Sequence, residues 1–196
     1  MSIAERKARE RAEREQRITG AARRIASEQG WEAVTIRRLA EEIEYSQPVI
    51  YSHFRSRDAI VAAVAIAGFG EMATTLRAAK ESSGNERQAL ESVATAYIAF
   101  ALDQSALYEA MLVLSRELPF AQPEAPGELR NAFHALASVV APFCQDVDTA
   151  TEVLWAALHG AAELERHGRI RPELRVRRVA MIVQSVLVSD HAGTHG

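Results

Sequence analysis

Apolar residues recur every three or four positions along most of the chain, which predicts a protein built from amphipathic helices. Between residues 18 and 29 they fall on one stripe, and Gly30 follows where a glycine commonly stops a helix. The stripe consists of Ile18, Ala22, Ile25 and Ala26. We find no stretch with the alternation typical of a strand and no internal repeat, so the pattern favours an all-α fold.

Two short helices are predicted next, over residues 36–43 and 47–53. Thr35 offers an N-cap to the first helix, and Ser46 offers one to the second. Pro48 then lies in the first turn of the second helix, where a missing N–H costs little. Because a two-turn helix is unstable alone in water, neighbouring helices must hold the second one in place.

Six further helices are predicted after this pair, which gives about nine helices in all. Their expected spans are residues 57–82, 86–104, 105–117, 128–144, 148–167 and 172–189. The segment 118–127 holds three prolines and is the clearest predicted loop. Pro142 is expected to bend or end the helix that contains it.

These elements predict two domains and a tail. We expect residues 1–56 to form a helical extension and a three-helix bundle, residues 57–190 to form a larger helical domain, and residues 191–196 to be flexible. The chain has 196 residues, of which 48% are hydrophobic and 25% charged, so it can bury a core. Its one cysteine, Cys144, excludes a disulfide framework.

Neither a secretory signal nor a membrane span is expected. The chain begins with charged residues instead of an apolar segment. Its longest nearly apolar run, from Ala59 to Gly70, is shorter than the roughly 20 residues that a membrane span needs. We therefore expect a soluble, cytoplasmic protein that does not bind a membrane.

The distribution of charge says more than its sum. The formal net charge is −3, which by itself argues weakly against nucleic-acid binding. Residues 1–57, however, hold 12 Lys and Arg against 9 Asp and Glu, whereas residues 58–196 hold 11 against 17. Within the first part, residues 1–17 are nearly all charged or alanine and predict a helical extension. This extension is either a basic arm that touches DNA or a solvated helix face, and the pattern alone favours the solvated face.

The pair of short helices matches a helix-turn-helix motif. Leu39, Ala40 and Ile43 of the first helix would brace the second, which could then enter the major groove with its N-terminal end. Amide and guanidinium groups suit base edges, so Gln47 and Arg37 are candidate base contacts. Nearby polar side chains could donate to phosphates, and the candidates are Tyr51, His53 and Arg57.

The stretch from Trp31 to Asp58 resembles the DNA-binding segment of the TetR family of bacterial repressors. The residues that carry this resemblance are Thr35, Leu39-Ala40, Ser46, Tyr51-Ser52-His53-Phe54 and Ser56-Arg57. The resemblance implies a homodimeric transcriptional regulator, most often a repressor, that binds a palindromic operator and leaves it when a small effector binds. It implies base contacts by Arg37, Gln47 and Pro48. It implies phosphate contacts by Thr35, Ser46, Tyr51, His53 and Arg57.

Two details refine this resemblance. The run Trp155-Ala-Ala-Leu-His159-Gly160 resembles the Trp-x-x-x-His-Gly pattern of one C-terminal subgroup of the family, the Trp-His-Gly subgroup. In the turn of the motif, however, this chain has Glu44 where the family usually has glycine. If that position needs a positive φ, the side chain costs roughly 1 kcal/mol, and its carboxylate adds repulsion near DNA.

The later helices carry candidates for dimerisation and for effector binding. Small residues such as Ala156 and Gly160, and a wide apolar band from Val176 to Leu187, suit an intermolecular four-helix bundle, although burial within one chain would also explain them. In the family the middle helices enclose a ligand cavity, and apolar walls suggest a hydrophobic effector. The candidate lining residues are Phe69, Met72, Tyr97, Phe100, Tyr108, Met111, Phe133, Trp155 and His159. Residues of this kind at helical spacing are more often core than pocket, and His159 could form a polar pair with Glu163.

Two other functions remain open at this point. An enzyme built on a helical bundle is one, but we find no nucleophile–base pair, no paired catalytic carboxylates, no phosphate loop and no ligand-spaced metal cluster. We therefore expect no catalysis, no cofactor and no metal. The second is an all-α interaction module whose helix-turn-helix no longer binds DNA, and Glu44 is the residue that keeps this alternative open.

Overall fold

The computed structural model describes residues 2–115, 118–120, 122 and 124–188. These residues form nine α-helices and no strand, so the all-α prediction is confirmed. The helices are α1 Ile3–Gln29, α2 Ile36–Ile43, α3 Gln47–His53, α4 Arg57–Glu81, α5 Glu86–Asp103, α6 Ser105–Glu109, α7 Gly127–Val140, α8 Val147–Arg166 and α9 Arg175–Val188. The predicted flexible tail, residues 191–196, lies outside the described residues.

The predicted extension and the first amphipathic helix are one continuous helix, α1. Ser2 and Glu5 cap its start reciprocally, since the Ser2 hydroxyl accepts from the Glu5 N–H and the Glu5 carboxylate accepts from the Ser2 N–H. Gly30 ends it with φ 81°, a left-handed value that a glycine adopts without strain. The second half of α1 buries one face, which includes Ile18 and Ile25, whereas its first half is exposed.

The chain forms two compact units. The first comprises residues 1–68 and 106–119, and the second comprises residues 69–105 and 120–196. The division falls within α4, beyond the predicted domain boundary at residue 57. The predicted boundary separates the part of the chain expected to bind DNA from the part expected to bind an effector and to dimerise, and it stays a prediction.

In the first unit, α1 packs against α2 and α3 around Leu39 and Ile50, both fully buried. The buried Trp31 lies in a short 3₁₀ turn after α1, and its indole N–H donates to the carbonyl of Ala106 at 2.7 Å. This bond ties the start of α6 to the bundle that contains the two short helices.

At the contact between α4 and α6, a side chain at Gly68 would require Met111 and Leu107 to shift. A Cβ there would lie 2.7 Å from Met111 Sδ and 2.8 Å from Leu107 Cδ1, closer than carbon and sulfur can approach. The α-helix predicted over residues 105–117 is wrong beyond Glu109, because the backbone continues as a π-helical turn over Ala110–Leu114. Side-chain periodicity alone does not distinguish a π turn from an α turn.

In the second unit, α5 packs against α7, α8 and α9, and α8 packs against α7 and α9. Its core includes the fully or almost fully buried Leu90, Val93, Leu154 and Leu158. α7 ends at Val140, four residues before the predicted end at residue 144, and a 3₁₀ turn that contains Pro142 follows, in agreement with the expected effect of that proline.

A buried carboxylate joins the last two helices. Glu165 of α8 accepts hydrogen bonds from Arg175 and Arg178 of α9, with a distance of 3.0 Å to the Arg178 guanidinium. Burial alone raises the pKa of Glu165, but the two guanidinium groups outweigh that effect and hold its pKa below the ordinary value. The pair of arginines therefore keeps a buried group ionised and fixes α9 on α8.

α4 is long and apolar enough to cross a membrane. The length of the longest nearly apolar run, which the sequence analysis used, did not identify α4 as a candidate span. Its most apolar 18-residue window has a mean hydropathy of 1.7, and half of that window is buried inside the protein. The core helix of a soluble protein has the same properties, so this finding is weak evidence for a span.

Candidate nucleic-acid interface

The two short helices are held by the turn that joins them. The Thr35 hydroxyl accepts from the Arg38 N–H at 3.1 Å, which confirms Thr35 as the N-cap of α2. Glu44 follows α2 with φ 57° and ψ 37°, and the Tyr45 N–H then donates to the Ala40 carbonyl at 3.0 Å. The turn therefore uses the left-handed conformation that strains a residue with a side chain, and Glu44 bears that strain.

α3 has one buried face and one exposed face. Ile50 is fully buried, whereas Gln47 and Pro48 are exposed and Tyr51 is 52% exposed. Ser46 occupies the N-cap position, but its side chain makes no capping hydrogen bond, so the expected cap is corrected to a cap by position only. Polar side chains at the N-terminal end of α3 thus face away from the bundle.

Arg37 lies on the outer face of α2, where the sequence predicted it. Its side chain is 81% exposed and its Nε is 2.9 Å from Glu41 Oε1, one turn further along the same helix. An exposed ion pair of this kind contributes little and exchanges easily. The guanidinium is therefore available to a stronger acceptor, and its contact with a base stays a prediction.

His53 and Arg57 are engaged inside the bundle. The His53 side chain is only 6% exposed, with Nδ1 3.3 Å from Glu15 Oε1 of α1. Arg57 donates to two carbonyls, to Val34 at 2.8 Å and to Trp31 at 2.7 Å. To contact a phosphate, as the sequence predicted, each side chain would first have to leave its internal partner, and both phosphate contacts stay predictions.

The base of the N-terminal extension contacts the end of α3 and the turn that precedes α3, which the sequence did not reveal. Besides the contact between Glu15 and His53, the Arg17 guanidinium lies over the ring of Tyr45, a residue of that turn, at 5.0 Å. These pairs are separated by 38 and 28 positions in the chain, so no local spacing could have found them.

Part of the predicted effector-binding set forms an aromatic cluster in the second unit. The Trp155 indole N–H donates to Tyr97 Oη at 2.9 Å. The Phe120 ring lies 6.2 Å from the Trp155 ring and 5.5 Å from the Phe69 ring, centroid to centroid. Phe120 was missed because it lies in the proline-containing loop, outside any helical periodicity. Met72 and Phe100 are buried in the same unit, and Phe133 is half-buried.

Two members of the predicted set belong to the other unit. Tyr108 and Met111 are fully buried in the first unit, where Met111 packs at Gly68. The predicted effector residues therefore divide between the two units, and an effector role for any of them stays a prediction.

His159 is half-buried on α8, one turn after Trp155. Burial lowers its pKa, an effect that the nearby Glu163 charge opposes and the Arg166 charge reinforces. The imidazole is therefore favoured in its neutral form, which could donate to or accept from a polar ligand group.

α8 and α9 also expose several large apolar side chains. Val176 is 82% exposed and Met181 is 73% exposed on α9, and Val153 and Leu164 of α8 are also exposed. Gly160 of α8 leaves open space where a side chain would stand. Val179, Val183 and Val186, in contrast, are buried within the unit. The apolar residues of α9 are therefore partly buried within the unit and partly exposed.

Among the residues that the structure describes, no group of three or more His, Cys, Asp or Glu side chains could hold a metal ion.

Comparisons with known proteins agree with this architecture. Residues 18–64 match a family model described as bacterial regulatory proteins, tetR family, and residues 90–186 match one described as tetracyclin repressor-like, C-terminal domain. A Bacillus subtilis (strain 168) protein, the uncharacterized HTH-type transcriptional regulator YobS, is 32% identical over 100 residues. That alignment covers 49% of this chain and only 50% of the relative, so the chain spans about half the length of the curated protein it matches.

Solved structures show the same fold. A protein of unknown function from Rhodococcus sp. RHA1 has a TM-score of 0.73 at 23% identity and covers 88% of this chain and 93% of its own. The TetR family transcriptional regulator PfmR from Thermus thermophilus has a TM-score of 0.61 at 17% identity and covers 85% and 97%. The Trp-His-Gly subgroup is not confirmed by these matches and stays a prediction.

Proposed function

Because the chain belongs to the tetR family of bacterial regulatory proteins, we propose that it regulates transcription by binding a DNA operator. In this proposal residues 1–56 bind DNA, and residues 57–190 bind the effector and form the dimer. The protein acts in the cytoplasm by binding and not by turnover, and it needs no cofactor.

The observation that carries the proposal is the two-sided character of α3. Its apolar side, with the fully buried Ile50, fixes the helix on α1 and α2. Its other side exposes Gln47, Pro48 and Tyr51. An α-helix fits the major groove, and a residue at its N-terminal end is the first to reach the base edges. We assign base contacts to Gln47, which suits adenine, to Arg37, which suits guanine, and to Pro48.

Phosphate contacts would fix the position of α3 in the groove. Thr35, Ser46 and Tyr51 are exposed around the turn and α3, and the Ser46 hydroxyl is not used as a cap. Hydroxyl groups at such positions donate to phosphate oxygens. His53 and Arg57 are the weaker members of the predicted phosphate set, because both have partners within the bundle.

We propose that the exposed apolar surface of α8 and α9 is the homodimer interface. A palindromic operator has two half-sites about one helical turn, roughly 34–36 Å, apart, and a symmetric dimer presents two recognition helices at that spacing. Val153, Leu164, Val176 and Met181 are large apolar side chains whose exposure to water is unfavourable, and small residues such as Gly160 allow helices to approach closely.

We propose that a small hydrophobic effector binds the second unit near the cluster of Tyr97, Trp155 and Phe120 and releases the protein from DNA. The walls there are aromatic, and His159 supplies a polar group one turn from Trp155. Release requires that the effector bind the DNA-free state more tightly than the DNA-bound state. α4 begins in the first unit and ends in the second, so we expect it to transmit the effect of effector binding to the DNA-binding helices. In the absence of effector, we expect the protein to repress transcription.

Selection from a random pool of duplex DNA tests the proposal directly. We expect the full chain to enrich a palindromic sequence and to bind it far more tightly than a scrambled duplex of equal length. Specific sites of such proteins are typically 10³- to 10⁷-fold tighter than non-specific DNA at physiological salt. Enrichment of no sequence, with equal binding to all duplexes at low salt, would overturn it.

Glu44 favours one alternative, an interaction module whose helix-turn-helix has lost DNA binding. The residue strains the turn and places a carboxylate next to α3. The same selection distinguishes the two functions, because the alternative predicts no enriched sequence while the dimer still forms.

A further inference from the structure

The N-terminal arm, defined here as residues 2–14 of the chain, is exposed at every residue. We propose that this arm is a second DNA-binding element, which extends beyond α3 and contacts the phosphate backbone through Lys7 and Arg14. The inference rests on the proposed function, because it extends the DNA contact of α2 and α3 to a further segment. The charge pattern of the sequence alone favours a solvated helix face, and the position of the arm in the first unit changes that interpretation.

The contacts of α1 show where the arm leads. Arg24 pairs with Glu42 of α2, with 2.8 Å between Nη2 and Oε1. About two turns earlier, Arg17 lies over Tyr45 in the turn before α3. Glu15 then contacts His53, the last residue of α3. Moving toward its N-terminus, α1 therefore passes the end of α2 and then α3, and the arm continues beyond α3 for about 20 Å at 1.5 Å per residue.

The helical register decides which side of the arm faces the DNA. At about 100° per residue, Lys7, Arg11 and Arg14 lie on the same side of α1 as Ile18, which is fully buried. This side of α1 packs against the bundle from Ile18 onward. The cationic side of the arm therefore continues the bundle-facing side of the helix, and it faces a duplex that occupies the exposed surface of α3.

The ion pairs leave cations available on that side. Arg6 pairs with Glu10 and Arg9 with Glu13, each at 3.7 Å. Among the described residues, Lys7 and Arg14 make no ion pair. An unpaired cation gains more from a phosphate than a paired one does, because it neutralises the phosphate and releases a condensed counterion without giving up another partner.

The base of the arm is held in a fixed direction. Arg11 Nε lies 2.8 Å from Glu15 Oε1, and the same Glu15 oxygen contacts His53 of α3. The arm is continuous with the packed half of α1, and Ser2 caps its start. A helix that is already formed and anchored loses little conformational entropy when it meets DNA.

The test compares the salt dependence of binding between matched variants of the full chain. The probe is the duplex enriched by the selection, extended by several base pairs on both sides. Lys7→Gln/Arg14→Gln removes the two proposed phosphate contacts. Arg169→Gln/Arg171→Gln removes the same charge from exposed residues of the second unit and serves as the control. Circular dichroism and thermal unfolding first establish that both variants fold like the original protein.

We expect the arm variant to lower the slope of log affinity against log salt by about 2 for each protomer, since each phosphate contact contributes about 0.9. The ratio between the DNA affinity of the original protein and that of the arm variant should then fall about tenfold per protomer between 50 and 200 mM salt. Hydroxyl-radical footprinting should show that protection is lost only in the flanks, while the central half-sites stay protected. The control variant should keep both the slope and the footprint.

The outcomes separate this proposal from the proposed function. An arm variant with an unchanged slope and an unchanged footprint overturns the arm contact and leaves operator binding by α3 intact. Equal changes in the arm variant and the control also overturn it, because net charge alone would then explain the effect. If the original protein shows no preference for any duplex, the proposed function fails together with the arm. A Gln47→Ala variant that loses sequence preference and keeps the original salt slope supports the proposed function, and an arm variant that keeps sequence preference but has a lower slope supports the arm contact.

Discussion

The two exposed surfaces of this protein differ in chemistry although both are built from a pair of packed helices. The surface of α2 and α3 exposes polar and cationic side chains such as Gln47 and Arg37, and Leu39 and Ile50 are buried beneath them. The surface of α8 and α9 exposes apolar side chains such as Val176 and Met181. The first suits a hydrated polyanion and the second suits another apolar protein surface, so exposure alone does not indicate the partner.

The largest effect is expected from placing a charge on the apolar surface. Met181→Lys would bury two lysines in a symmetric dimer, and each buried unpaired charge costs several kcal/mol. We expect the dissociation constant of the dimer to rise more than a hundredfold, measured by sedimentation velocity. The control is Thr95→Lys, which adds the same charge at an exposed position of α5. A Met181→Lys protein that remains dimeric at low concentration would show that the apolar surface has another purpose.

The second effect tests how α9 is held in place beneath that surface. Glu165→Gln leaves Arg175 and Arg178 without their anion, and we expect the free energy of unfolding at neutral pH to fall by about 2–3 kcal/mol, less than for a fully buried pair because Arg175 is partly exposed. Urea denaturation measures this loss. Glu173→Gln, at an exposed position, should change it by less than 0.5 kcal/mol.

The same carboxylate gives the stability a dependence on pH. Since the pKa of Glu165 is lower in the folded protein than in the unfolded chain, the unfolded chain takes up the proton first as pH falls. The contribution is therefore complete above the unfolded-state pKa of roughly 4.3 and is lost as pH falls through the folded-state pKa. Between pH 7 and pH 3, the free energy of unfolding of Glu165→Gln should fall less than that of the original protein. If the two free energies fall in parallel, Glu165 does not cause this pH dependence.

The third effect concerns the polar surface. Gln47→Ala should cost roughly 1–3 kcal/mol on the selected operator and leave binding to random DNA unchanged, because a base contact contributes only at the correct sequence. Fluorescence anisotropy with both duplexes measures the difference. Gln29→Ala makes the same substitution at an exposed residue near the end of α1 and should change neither. Equal losses on both duplexes would contradict a base contact.

The smallest effect is expected at the turn that supports the polar surface. Glu44→Gly should relieve the left-handed conformation and stabilise the protein by up to about 1 kcal/mol. Glu44→Gln keeps the strain and removes only the charge. Chemical denaturation should therefore respond to Gly and not to Gln, while DNA affinity should rise with both. If Gly gives no gain in stability, the turn is not strained.

Local spacing was enough to predict the helices within residues 18–53 and the motif that they contain. Gly30 ends α1 through its backbone conformation, and Thr35 begins α2 through its hydroxyl group. Both effects act within four residues, so the sequence predicted these two helix ends where the structure has them. Spacing also indicated which side of α3 is apolar, since Ile50 is the residue that it buries.

Contacts between distant residues could not be predicted in the same way. The sequence predicted His53 to be exposed because its partner, Glu15, is 38 residues away. Arg57 donates to backbone carbonyls, and since every residue has one, the sequence does not show which of them accept. Phe120 lies in an irregular segment, where no periodicity marks a residue as buried. Glu165 shows the same limit, because only the folded chain brings Arg175 and Arg178 to it.

The indole hydrogen bonds described above provide an optical readout for each unit. The chain has two tryptophans, Trp31 in the first unit and Trp155 in the second, and each indole N–H has an acceptor within its own unit. Trp155→Phe would leave emission that reports on the helix-turn-helix bundle, and Trp31→Phe would leave emission that reports on the aromatic cluster. Two single-tryptophan proteins would thus reveal, without any attached dye, whether the units melt together and which of them responds first to an added compound.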